Sequence, residues 1–84
     1  MTLKSIYVDN LSKDVGEEDL YQEFKVYGEV GSVNIIKNKV DGQSRVFALV
    51  AMTNNADAEA AIKELNGKNL KGSKLNVKEA ETEH

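Results

Sequence analysis

The side chains in this chain best suited to chemistry are two aromatic rings and a base, Tyr7, Phe47 and Arg45. Their chemistry is recognition: an exposed ring offers a flat apolar face on which a nucleobase can stack, and a guanidinium pairs with phosphate. In Ile6-Tyr7-Val8-Asp9-Asn10-Leu11, aliphatic residues at 6 and 8 alternate with Tyr7. A strand here therefore buries Ile6 and Val8 and turns the phenol outward. In Arg45-Val46-Phe47-Ala48-Leu49-Val50-Ala51-Met52, the same period places Val46, Ala48, Val50 and Met52 on one face and Arg45, Phe47, Leu49 and Ala51 on the other. Both faces are apolar, which in a sheet covered on one side leaves Tyr7, Phe47 and Leu49 exposed unless something binds there.

The elements that must position these residues form two strand-helix-strand halves of similar length. The first strand is expected over about 5–8. Gly16-Glu17-Glu18-Asp19 opens a helix whose acids suit its positive dipole end. Leu20, Phe24 and Tyr27 give that helix its apolar face, and Gly28 is expected to end it in a left-handed cap. The second strand, about 32–37, buries Val33 and Ile35 and exposes Asn34 and Ile36. Asp41-Gly42 signals a hairpin, with a loop expected around 38–44. Asn54 or Asn55 caps a second helix running to Leu65, with Ala58, Ala61, Ile62 and Leu65 as its stripe. Asn66-Gly67 ends it, and Leu75 and Val77 mark the last strand. Right-handed crossovers put both helices on one side of the sheet. The expected fold is α+β, a ferredoxin-like βαββαβ sandwich with a four-stranded antiparallel sheet, its first and third strands central and Tyr7 next to Phe47.

The two strand segments resemble the paired ribonucleoprotein motifs of the RNA recognition motif family. Ile6 to Leu11 fits every specified position of the six-residue motif (aliphatic, aromatic, aliphatic, any, Asn, Leu). Arg45 to Met52 keeps the leading base, the first aromatic, the small residue and aliphatic Val50 of the eight-residue motif. It departs in having Val46 for Gly, Leu49 for the second aromatic and Met52 for the third. Leu65-Asn66-Gly67 and 72–80 look like the family's second-helix end and last strand, so the resemblance runs from about Lys4 to Ala80.

The resemblance implies a module that binds single-stranded RNA, with single-stranded DNA as a further ligand, and performs no catalysis. Tyr7 would stack one base, Phe47 a neighbouring base or sugar, and Arg45 would meet a phosphate. Leu49 and Ile36 would serve as apolar flooring, and Asn34, Lys37, Lys39 and Lys78 would border the platform. Loss of a stacking ring at Leu49 and the negative charge of Asp9 point to modest affinity. A second reading is a protein-protein interaction module of the same fold, holding its partner on the open sheet or on the acidic helix. An enzyme or small-molecule regulator also fits the topology, but no residues suggest its site.

Composition sets the remaining bounds. The 84 residues have room for one core, here a single domain over 1–84 with its structured part about 4–80 and a short acidic tail at 81–84. No cysteine is present, which excludes disulfides and thiolate chemistry and suits a cytoplasmic location. Met1-Thr2-Leu3-Lys4 carries no signal-peptide apolar run, and no window approaches a membrane span. His84, the sole histidine, is the last residue, and Glu17, Glu18 and Asp19 are explained as helix-start charges, so neither catalytic nor metal residues nor a cofactor are expected. Gly67 and Gly72 have the spacing of a phosphate loop, but Ser73-Lys74 is in reversed order and leads into a strand. The net charge of −3 opposes phosphate binding only if spread evenly. Residues 1–30 carry three lysines against seven acids, whereas 31–78 carry eight basic residues against four acids.

Overall fold

The computed structural model describes residues 4–40 and 42–80, with the side chains of 39, 40 and 43–45 outside the description. Elements follow in the order β1 (Lys4–Asp9), α1 (Glu17–Lys25), β2 (Val30–Val40), β3 (Gln43–Met52), α2 (Asn55–Leu65), β4 (Asn69–Leu70), β5 (Ser73–Lys74) and β6 (Asn76–Glu79). The main sheet is ordered β2-β3-β1-β6 and every neighbouring pair is antiparallel. This is the expected ferredoxin-like sandwich, with β1 and β3 at the centre.

Ile6, Val8, Ala48, Val50, Met52 and Val77 point from the strands into one core, where Leu20 and Phe24 of α1 and Ala58, Ala61 and Leu65 of α2 meet them. Apolar groups recur every second residue in the strands and at three- and four-residue steps in the helices, so each element has one face to bury. Val33 and Ile35, expected inside, are half-buried and pack against this core from the sheet's edge strand. No polar or charged residue is buried among those described.

β2 and β3 pair without interruption from Ile35↔Ala48 out to Val40↔Gln43, so the expected loop at 38–44 is instead strand nearly to its tip. Gly42, at φ +77°, takes the left-handed conformation a tight hairpin needs; Asp41 lies outside the described residues. Backbone pairing carries the strands past the point where side chains still reach the core.

The end of α1 also differs from expectation. The helix stops at Lys25, with right-handed Val26 as its cap, and Tyr27 and Gly28 donate their amides to Phe24 and Lys25 in a tightened final turn. Gly28 is not left-handed: the described glycines with positive φ are Gly42, Gly67 and Gly72. Its role is steric, since a β-carbon there would lie 2.7 Å from Cβ and Cγ of Asp57 in the first turn of α2. Glycine at 28 thus allows the α1–β2 connection to pass close against the second helix.

Asn54 caps α2 by accepting the Asp57 amide hydrogen bond at 2.9 Å. After Gly67 (φ +87°) the chain forms a small hairpin the sequence reading left out, β4 with β5, turning through Lys71 and Gly72 at φ +50° and +86°. Two successive positive φ values mark a type I′-like turn. Two lysines here reach α1: Lys68, just before the hairpin, pairs with Glu23, and Lys71, in its turn, with Asp19 at 3.1 Å. Asp19 also accepts the Gly16 amide at 2.8 Å, so one carboxylate joins the helix start to the hairpin. The Gly16 hydrogen bond first, and Lys71 second, hold this carboxyl below its ordinary value of 3.8.

Three outcomes follow from this packing. Phe24→Ala, which empties a fully buried site, should cost about 3–5 kcal/mol in urea denaturation. Gly28→Ala should destabilise by about 1–3 kcal/mol through overpacking against Asp57. Because the folded-state pKa of Asp19 is lowered, its contribution is present above the unfolded value and is lost as pH falls through the folded one. Melting temperatures followed from neutral pH to below pH ~4 should therefore decline less steeply in Asp19→Asn than in wild type.

Candidate nucleic-acid interface

With both helices on one side, the opposite side of the sheet is uncovered, and strand register sets its layout. Tyr7 opposes Leu49 on β3 and Lys78 on β6, while Leu49 opposes Asn34 on β2. A row Asn34, Leu49, Tyr7, Lys78 therefore crosses all four strands. Two residues further along β1, and two back along antiparallel β3, lie Asp9 and Phe47. Phe47 opposes Ile36 and Asp9 opposes Asn76, which makes a second row beside the first.

The two rings sit diagonally between these rows, their centroids 5.4 Å apart and their planes inclined by 38°. That spacing falls within the range of favourable aromatic pairs, and each of the two residues is partly open to solvent. Tyr7, Phe47 and Ile36 are half-buried, whereas Leu49 is 36% exposed. The ammonium of Lys78 lies 5.3 Å from the Tyr7 centroid, a cation–π distance. Tyr7, Asp9, Phe47, Leu49, Lys78, Glu79 and Ala80 line a broad, open depression.

Of the residues singled out in the sequence, Tyr7, Phe47, Leu49, Asn34, Ile36 and Lys78 come together on this face. Lys37 does not. It opposes Val46, which packs against the core, and shares the alternation of Val33 and Ile35, so it lies on the helix side of the sheet beyond the helices. Its exposure comes from the length of the hairpin. Arg45 and Lys39 belong to β3 and β2, but their side chains lie outside the described residues.

The sequence reading missed Asn76, Glu79 and Ala80. Asn76 stands two residues before Lys78 in β6, so the alternation that exposes Lys78 could have placed it on the same face. Glu79 falls on the opposite alternation and reaches the rim at the sheet edge, where its carboxylate takes the Lys4 ammonium at 2.6 Å. Among the described residues, no three histidine, cysteine or acidic side chains are grouped to hold a metal ion.

The face can thus offer stacking surfaces, an ammonium and polar groups beside an apolar floor, a chemistry suited to a flexible chain with flat aromatic groups and negative charge. The model of the RNA recognition motif family matches residues 6–76. Splicing factor U2AF 59 kDa subunit of Schizosaccharomyces pombe is 39% identical over 72 residues, covering 86% of this chain and 14% of that protein. The chain therefore spans about one seventh of this relative's length. The crystal structure of RNA binding protein PG1 superposes with a TM-score of 0.83 at 42% identity, covering 96% of this chain and 98% of that one. RNA recognition domains 1 and 2 of Sex-lethal from Drosophila melanogaster align with a TM-score of 0.81 at 29% identity, over 94% of this chain and 50% of that one. With the family's pattern matched across most of its length and its rings set side by side on an uncovered sheet, this chain belongs to the RNA recognition motif family.

Proposed function

We propose that the uncovered sheet face binds single-stranded RNA and performs no reaction on it. The observation that carries this reading is the Tyr7–Phe47 pair, two partly exposed rings 5.4 Å apart on the face that no helix covers. Stacking requires access to the flat face of a base, which a duplex hides and a single strand presents. Tyr7 takes one base and Phe47 the adjacent base or its sugar, with Leu49 and Ile36 as the apolar floor. Lys78, on the face itself, and Arg45, two residues before Phe47 in β3, take phosphates. Membership of a family whose relatives include an RNA binding protein and a splicing factor supports the same assignment. Single-stranded DNA of the same sequence is the natural competitor, since stacking and phosphate contacts do not depend on the 2′-hydroxyl.

The energies favour a moderate binder. Two stacked bases contribute roughly 2–6 kcal/mol, and a chain of net charge −3 adds few phosphate contacts. Micromolar or weaker affinity for a short oligonucleotide is the expected result.

Tyr7→Ala and Phe47→Ala should each weaken binding of a short single-stranded RNA by about 1–3 kcal/mol, measured by fluorescence anisotropy, with cooperative unfolding retained. Affinities equal to wild type in both would remove the stacking assignment, and amide shifts confined to α1 on titration with a partner protein would favour the interaction-module reading. Two phosphate contacts, Arg45 and Lys78, give a slope of log affinity against log salt of about −1.4, each further contact adding about −0.7. Lys78→Ala should flatten the slope by about one contact and weaken all sequences alike.

A further inference from the structure

Tyr7 has two neighbours on the open face: the Phe47 ring lies 5.4 Å away on the β3 side, and the Lys78 ammonium stands over the ring from β6, 5.3 Å from its centroid. Strand register sets up the second contact, since Lys78 is directly opposite Tyr7 in the β1–β6 pairing and points to the same face. Glu79, the next residue in β6, falls on the other alternation and gives its carboxylate to Lys4. The side chain placed to hold a phosphate is thus the one that already occupies the stacking ring. An aromatic face attracts a cation through its negative quadrupole, and a base stacks on that same π surface. Ammonium and base therefore compete for Tyr7, and the cation leaves the ring at a cost unless an anion receives it.

Resting on the RNA-binding reading above, we infer that Lys78 is a specificity-determining residue: it admits to Tyr7 a base that carries a backbone phosphate and disfavours one that does not. In the free chain the ammonium rests over the ring. When a base stacks there, the ammonium passes to the phosphate flanking that base. Lysine suits this exchange because its charge is carried on a flexible four-carbon stem and its three donors rotate freely. With a phosphodiester, the lost ring contact is offset by a charge-assisted hydrogen bond and by release of a counterion. A neutral aromatic ligand supplies no such offset, so the side chain that helps a nucleotide obstructs a bare base.

The test measures binding of the full chain, at low salt, to two labelled pools of random-sequence hexanucleotides. Both are 2′-O-methylated; one has phosphodiester linkages and the other uncharged methylphosphonate linkages. Lys78→Ala should weaken binding of the phosphodiester pool about threefold and tighten binding of the methylphosphonate pool about two- to fivefold, the worth of an exposed cation–π contact. Lys63→Ala, in the last turn of α2 away from the face, should change neither. The gain on the neutral pool should vanish when Lys78→Ala is made in Tyr7→Ala. In the free wild-type chain, the ring current of Tyr7 should shift the Lys78 ε-methylene protons upfield, and Tyr7→Ala should return them to ordinary positions. The inference is overturned if Lys78→Ala binds the methylphosphonate pool no better than wild type, if it leaves the phosphodiester pool unchanged, or if the neutral pool gains equally without the Tyr7 ring. Ordinary ε-methylene positions in wild type would overturn it as well. Each of these results can occur while wild type binds RNA, and so leaves the RNA-binding reading standing. Absence of wild-type binding to either pool and to unmodified RNA is a different result, which removes that reading together with this one.

Discussion

Burial of alternate residues in the two central strands is the constraint on which the other features rest. Ile6 and Val8 in β1, and Ala48, Val50 and Met52 in β3, are all at most 1% exposed. A strand offers no intermediate choice, since slipping its register by one residue would move every one of these groups into water and every ring into the core. Holding the aliphatic set inside therefore holds Tyr7, Asp9, Phe47 and Leu49 outside. The rings need no separate device to orient them.

What covers the core decides what stays open. Each helix supplies one apolar stripe, and both crossovers return on the same side, so the sheet has a packed face and a bare one. The buried apolar core holds that packed side, and polar contacts are peripheral to it. Asp19 joins the start of α1 to Lys71, Lys68 of the same hairpin region meets Glu23, and the Asn54 cap sets the start of α2. Exposed pairs of this kind add little stability each, but they act at places remote from the bare face. Acids gathered on α1 thus lie away from the surface where phosphate would come, and the negative total charge is compatible with a locally mixed interface.

Much of this architecture is legible in the residues. Period two in 6–11 and 45–52, period near 3.6 in the two helices, the Asn54 cap and the Asp41-Gly42 turn are local signals, each set by neighbours in sequence. They suffice for the order of elements, the central position of β1 and β3, and the outward placement of Tyr7 and Phe47. The deviant positions of the second motif, Val46, Leu49 and Met52, also fit without strain: Met52 is buried, Val46 packs on the core, and only Leu49 changes the open face.

Tertiary structure decided the rest, because it depends on which distant segments come into contact. Gly28 reads as a helix stop, yet its lack of a side chain answers the approach of Asp57, a neighbour in space only. The β4–β5 hairpin is too short to show periodicity, and Lys71 in its turn and Lys68 just before it find partners on α1. Lys37 reads as a platform residue because it is basic and near Ile36, although it shares the alternation of Val33 and Ile35 that puts it on the other side; what folding added is the unbroken ladder to Val40↔Gln43, which carries it beyond the helices. Asn76 joins Asp9 and Phe47 only through the pairing of β6 with β1 and of β1 with β3. Sequence determined which side of each strand faces water, since that is a property of alternation along one segment. Folding determined which outward residues became neighbours, since that requires the register between segments far apart in the chain.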